Sequence, residues 1–282
     1  MGGNDGSVAR VVAAIEARYP PATAEDWDRV GLVVGDPDQA VRKLLLAVDC
    51  THATVAQAHE LGAQMLVVHH PLLLRGVHSV ATTSYKGAIV HRLIRDGIAL
   101  YTAHTNADVA DPGVGDALAA RLDLTDVRPL RYAGPGRATV PHPGRIGRLD
   151  PPRRLGELAG LAGERLPGTA VGVRAAGDPD RLVTTLAVVG GSGDAFLADA
   201  AAAGADAYLT SDLRHHPASE HLDAGGPALL DAPHWATERP WLDMLAEELR
   251  ADLGIAVAVS DVVTDAWTVH APSTVPAMPA EI

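Results

Sequence analysis

The chain has 282 residues and a formal net charge of −12, an acidic balance that excludes the basic footprint of a general nucleic-acid binder. Hydrophobic residues make up 47%, yet no apolar run approaches the roughly 20 residues that span a bilayer, so a soluble globular protein without a membrane partner is expected. A single cysteine, Cys50, excludes an internal disulfide and reads as a small buried hydrophobe; with an N-terminus lacking signal-peptide character it points to the cytoplasm.

In chain order, Val8, Val11, Val12 and Ile15 share one face at helical spacing, predicting a helix over 8–18 that Tyr19-Pro20-Pro21 stops. Trp27 to Asp36 mixes turn residues with a short apolar run. A strand from Leu44 to Val48, a helix over 53–61 and a strand from Met65 to Val68 follow, the last delivering His69-His70-Pro71. A strand from Ile98 to Thr102 leads to His104 and, four residues later, Asp108. Residues 126–152 are rich in Pro, Gly and Arg and mark the crossing into a second half, within which Gly144 to Leu149 reads as a strand. A helix over 155–166, a strand near Thr185 to Val189 and the turn Gly190-Gly191-Ser192-Gly193 come next. Leu229-Leu230 carries an apolar run into Asp231, His234 and Glu238. A helix over 241–253 and strands over 255–259 and 267–270 complete the pattern, and the Pro-rich tail 271–282 reads as mobile.

One pattern occurs twice. Leu44 to Cys50 is similar to Thr185 to Gly191, Glu60 to Leu66 is similar to Ala202 to Tyr208, and both copies finish in His-His-Pro, at His69 and at His215. Strand, helix, Gly-Ala turn, strand and His-His-Pro repeated in this order read as an internal duplication. The fold class is therefore α/β: two related lobes with mostly parallel sheets flanked by helices.

Three strand ends finish in imidazole and carboxylate groups, the donors that Zn, Mn, Fe and similar divalent ions accept. Ends of strands are also where open α/β sheets build their sites. Adjacent strand residues point to opposite faces, so His69 and His70 serve two neighbouring ions, or one ion and its outer shell, or else one packs in the core while the other makes an ordinary hydrogen bond. Asp108 either bridges cations or takes part with Asn106 in local turn chemistry. His234 and Glu238 share a face if a helix begins near Pro233; if it begins at Thr237, Glu238 merely complements the helix end. His215 and His216 form a second pair suited to lining or hydrogen bonding. Gly190 to Gly193 could hold phosphate on backbone N–H groups, although a tight turn fits it better. His52, His59, His78 and His91 read as structural or solvated.

Taken together, these segments resemble the family of GTP cyclohydrolase 1 type 2 homologues, the Nif-three-like dinuclear metal proteins. The likeness runs from Trp27-Asp28 through His69-His70-Pro71, His104-Thr105-Asn106 to Asp108, Gly144 to Leu149, Gly191-Ser192-Gly193 and Ser211-Asp212 to His216, and closes at His234 to Glu238. It implies two intertwined lobes, over 1–127 and 128–230, with a return segment 231–270 bringing metal ligands to the first lobe. It further implies a ring-like homohexamer and two divalent ions per subunit, held by His69, His70, Asp108, His234 and Glu238, with His69 and His70 addressing different ions. Arg29 stands where the family usually shows Asn, and Pro233 and Ser211 where it commonly shows Gly. The length leaves no room for the inserted domain of longer members.

The implied activity is metal-dependent hydrolysis of a small-molecule, nucleotide substrate. Water activated at the metals attacks C8 of the guanine ring of GTP, and His104 or His216 serves as proton shuttle or outer-shell group. Arg75 or Arg214, judged by position, would offset phosphate charge. A phosphoester or amide-like substrate suits the same groups. The alternative is a non-catalytic metal-binding or interaction protein whose ions are structural or stored.

Overall fold

The computed structural model describes residues 6–131 and 141–273. Its first part contains β1 (Gly6–Ser7), α1 (Val8–Glu16), β2 (Gly31–Val34), β3 (Ala40–Val41) and β4 (Lys43–Ala47). There follow α2 (His52–Glu60), β5 (Met65–Val68), α3 (Tyr85–Arg95), β6 (Ala99–Thr102), α4 (Thr105–Asp108) and α5 (Val114–Arg121). The chain then passes through β7 (Thr125–Pro129), β8 (Arg145–Arg154), α6 (Leu155–Arg165), β9 (Arg174–Ala176) and β10 (Leu182–Ser192). It closes with α7 (Leu197–Ala202), β11 (Ala207–Ser211), α8 (His215–Asp223), β12 (Ala228–Asp231), α9 (His234–Leu253) and β13 (Ala256–Val259).

β1 and β3 form a small ribbon, and two larger sheets carry the rest. The first has the order β13-β4-β5-β6-β2 and is parallel except at the β2 edge. The second, β7-β8-β10-β11-β12-β9, is mixed: only β10-β11 and β11-β12 are parallel. The expectation of mostly parallel sheets therefore holds for the first sheet and is corrected for the second. The division expected at 127–128 falls inside β7, which already belongs to the second sheet.

The apolar runs that predicted strands are central strands buried on both faces, as parallel strands under helices must be. Alternation sorts their side chains. Leu44, Leu46, Met65 and Val67 pack with Leu186, Val188, Leu209 and Leu230 of the other sheet and with Trp241, Leu245 and Leu249 of α9, in one continuous core. Leu45, Ala47, Leu66 and Val68 face the opposite way, towards Val55, Ile89 and Leu93 of α2 and α3. A third cluster, around Tyr208, Leu197 and Ala200, lies on the far face of the second sheet. Helix α9 is thus sandwiched between the sheets, and Gly254, at φ 66°, ends it so that β13 can pair with β4.

Two elements depart from expectation. Residues 267–270 form no strand; Trp267 and Val269 stand 69% and 81% exposed, without a partner strand to pair with. The α9 helix starts at His234, seven residues before the predicted start at 241, because Pro233 occupies the cap position and Pro240 is accommodated inside the helix. Of the tail expected to be mobile, residues 274–282 lie outside the described residues. No described helix is long and apolar enough to cross a membrane.

Candidate metal centre

The end of β5, the start of α9 and the loop into α4 meet where the two sheets approach each other through α9. Starting α9 at His234 puts His234 and Glu238 on one face, with His234 Nε2 2.9 Å from Glu238 Oε1. His70 Nε2 lies 3.0 Å from Glu238 Oε2, and His69 Nε2 lies 3.5 Å from both Glu238 Oε1 and Asp108 Oδ1. The sequence alternatives for Asp108 divide between neighbours. Asn106 takes the turn role, accepting from the His104 N–H and donating to the Tyr19 carbonyl, while Asp108 turns towards His69.

Every imidazole of the cluster is anchored through Nδ1. His69 Nδ1 meets the Ala103 carbonyl at 2.9 Å, His70 Nδ1 meets Asp49 at 2.7 Å, His104 Nδ1 meets Asp28 at 2.9 Å and His234 Nδ1 meets Asp212 at 2.6 Å. Such contacts fix the tautomer with the proton on Nδ1 and the Nε2 lone pair facing inward, as outer-shell partners of metal-ligating histidines do. Two consequences test whether cations fit. His70 Nε2 and His234 Nε2 stand 3.3 Å apart, so two neutral rings would oppose lone pairs that a shared cation relieves. His69 Nε2 and Glu238 Oε2 are buried without a hydrogen-bond partner, a costly state for a ring nitrogen and a carboxylate oxygen. Two donor groups, His69-His70-His104 and His70-His234-Glu238, are each compact enough to hold a metal ion.

Without cations, protons must serve. Burial alone would strip His234 of its proton, but Glu238 and Asp212 outweigh it and push its pKa up to about 10. His69 and His70 are raised as well, burial being opposed chiefly by Glu238. Glu238, despite burial, is held well below the usual carboxylate range by His70, His234 and His69. Burial raises Asp108 in spite of His69 and His104. Asp28 and Asp49 are lowered, burial notwithstanding, by His104 with Thr105 and by His70 respectively.

The end of β10 is shaped around this cluster. Gly191 has φ 69°, and its N–H is given to Thr237 Oγ1 at 2.9 Å, so it is not free for phosphate; the following α7 is only six residues long. The expected tight turn is corrected: Gly190 to Ser192 are the irregular end of β10, where its pairing with β11 shifts register between Val188 and Ser192. A Cβ on Gly191 would stand 2.4 Å from Glu238 Oε1 and 3.0 Å from His234 Nε2. Ser211 meets Thr237 Oγ1 at 3.1 Å, so the serine that departs from the family pattern joins the same network. Arg29 folds back onto the carbonyls of Asp26 and Asp28.

His216 is corrected: it is exposed in the first turn of α8, its ring against His215, and is not brought to the cluster. After β11 the chain passes through Asp212, at φ 58°, before α8 begins, whereas His69 follows β5 directly. Arg214 pairs with Asp194 outside the cavity beside the cluster, and Arg75 does not line that cavity either. The anchoring roles of Asp28, Asp49 and Asp212 went unrecognised. The signal for two of them was present, since Asp49 and Asp212 also follow strand ends.

A family model described as Duf34/NIF3 (NGG1p interacting factor 3) matches residues 7–266. A protein of Streptomyces coelicolor named GTP cyclohydrolase 1 type 2 homolog is 50% identical, covering 94% of this chain and 95% of its own. One of Mycobacterium tuberculosis with the same name is 38% identical, covering 92% and 96%. The crystal structure of a Bacillus cereus protein related to NIF3 has the same fold, with TM-score 0.84 at 24% identity over 94% of this chain and 99% of that one.

Proposed function

The chain belongs to the Duf34/NIF3 family, and on that premise we propose a hydrolase that works with two divalent cations and, following the name its relatives carry, opens the guanine ring of GTP. The observation that supports it best is the inward set of Nε2 atoms on anchored rings around Glu238, with two buried polar atoms left without partners. Divalent cations held there would supply Lewis acidity, acidifying a water and offsetting negative charge that develops on the ring. His69, His70, Asp108, His234 and Glu238 would hold them. His104, steered by Asp28, offers its remaining nitrogen to the cavity and would carry a proton between water and a ring nitrogen.

The test is formate release from GTP by protein loaded with Zn, Mn or Fe, alongside elemental analysis showing two ions per chain. His70→Ala, with the fold retained, should lose both. A second reading, in which the ions are structural or stored, draws on the placement of the donors: β5 and α9 supply them, so cations would tie α9 to the first sheet. A melting temperature that drops on chelation, with no turnover of GTP, other nucleotides or phosphodiesters, favours that reading.

A further inference from the structure

Of the groups that anchor the four rings, two are themselves held by a threonine hydroxyl. Asp28 accepts from His104 Nδ1 on Oδ1 at 2.9 Å and from the Thr105 hydroxyl on Oδ2 at 2.6 Å. Asp49 repeats the arrangement: Oδ1 accepts from His70 Nδ1 at 2.7 Å, and Oδ2 accepts from Thr264 Oγ1. Thr105 adjoins His104, so its contact comes with the local chain. Thr264 stands 215 residues from Asp49 and arrives on a different segment.

That segment is a strap that follows β13. Residues 260–273 form no helix or strand, and after Ser260, which is 2% exposed, none of them is fully buried. Core burial therefore does not explain its course. Polar contacts at its root do. The Ser260 N–H donates to the Leu46 carbonyl at 2.8 Å and its hydroxyl to Gln57 Oε1 at 2.6 Å, while Ser260 Oγ accepts the Val262 N–H at 3.2 Å. Arg239 reaches Asp261 at 3.3 Å. The strap is thereby led past the end of β4, where Thr264 meets Asp49. Asp265 and Trp267 then line a cavity shared with His234 and Asp212, so the strap runs alongside a second anchored ring.

A carboxylate that holds an imidazole through one oxygen can still turn about its last side-chain torsion, which is broad in Asp. A donor on the second oxygen removes that freedom. Thr264 has one O–H to give, and giving it to Asp49 sets the carboxylate that directs His70. The aim of this ring matters twice, because His70 belongs to both compact donor groups, His69-His70-His104 and His70-His234-Glu238.

We infer that Thr264 is a positioning residue of the metal centre: the strap hydroxyl fixes the Asp49 carboxylate, which in turn aims His70 Nε2 into the donor cluster. The inference rests on the metal-centre part of the proposed function and not on hydrolysis.

Competition titration of Zn against a chromophoric chelator decides it. Thr264→Val, which keeps the shape and removes the hydroxyl, should weaken Zn binding about threefold to tenfold, less than the ~10–100-fold of a direct outer-shell partner. Thr264→Ser should bind Zn within about twofold of wild type. In an Asp49→Ala background, Thr264→Val should change the affinity by less than about twofold, because its acceptor is gone. In metal-free protein the downfield Nδ1–H proton of His70, assigned by its loss in His70→Ala, should exchange with solvent several-fold faster in Thr264→Val than in wild type. The inference is overturned if Thr264→Val holds Zn as wild type does, if Thr264→Ser falls with it, or if the loss adds in full to that of Asp49→Ala. Wild-type protein that binds no Zn would refute the metal centre, and the His70 proton then decides: unaltered exchange overturns the positioning role, and faster exchange upholds it. The expected Zn pattern without formate release from GTP would refute the hydrolase reading and leave the role of Thr264 standing.

Discussion

Replacing Gly191 by Ala tests the centre without touching a metal donor. The residue sits at φ 69°, where an L side chain costs about 1–2 kcal/mol. For a chain of this size that is a fall of about 2–8 °C in the melting temperature of the metal-free protein. The larger effect is local. The new Cβ would lie 2.4 Å from Glu238 Oε1 and 3.0 Å from His234 Nε2, so the Glu238 carboxylate must retreat by about 1 Å to reach van der Waals contact. Metal–ligand distances tolerate only about 0.2 Å, so metal affinity should fall by more than the ~10–100-fold typical of outer-shell changes. Competition titration against a chromophoric chelator measures the affinity, and melting with and without chelator separates it from backbone strain. If Gly191→Ala binds metal within about threefold of wild type while folding normally, Glu238 and His234 are not both donors, and the construction of the site around this strand end is wrong.

Asp49→Asn and Asp212→Asn, which weaken the hold on His70 and His234, should each lower metal affinity about 10–100-fold with little change in the metal-free melting temperature; the same chelator titration checks both. In metal-free protein the raised pKa of His234 contributes stability that is fully present below 6.5 and is lost as pH rises through about 10. Metal must displace that proton, so affinity should climb with pH up to about 10, and calorimetry at neutral pH in buffers of different ionisation heat should register proton release; a buffer-independent heat would contradict it. Gly160→Ala, at an exposed position inside α6 with nothing within 4 Å of the new methyl, should stabilise the fold by about 0.5–1 kcal/mol, read by denaturant melts.

Where residue pattern alone decides structure, it was legible. Leu44 to Ala47 and Met65 to Val68 are uninterrupted apolar runs because both faces of these strands are covered, and four-residue spacing at His234 and Glu238 allowed a shared helical face. Pattern misled where the partner decides. Residues 267–270 alternate like a strand but have no sheet beside them, so the alternation carries no burial. β8 runs on through the exposed Pro151 and Pro152 to Arg154, past the point where apolar periodicity ends, because antiparallel pairing with β10 holds it. The two similar segments both form strand, helix and parallel strand, yet the three residues between Ser211 and His215 displace the second His-His-Pro onto a helix.

The candidate donors were visible as residue types at strand ends; the groups that aim them were not, because aim is a long-range property. Asp28 is 76 residues from His104, and Asp49 and Asp212 stand 21 and 22 residues from the rings they hold. Asp49 and Asp212 share the strand-end position of the donors, but nothing local to Asp28 distinguishes it from a solvated carboxylate. Their common effect is to assign Nδ1–H to the rings of His70, His104 and His234, as the Ala103 carbonyl does for His69, before any cation arrives. The cost of choosing tautomer and orientation is thereby met on folding, and binding need only displace protons. That is why loss of an outer carboxylate should register in metal affinity and its pH dependence, and hardly at all in the fold.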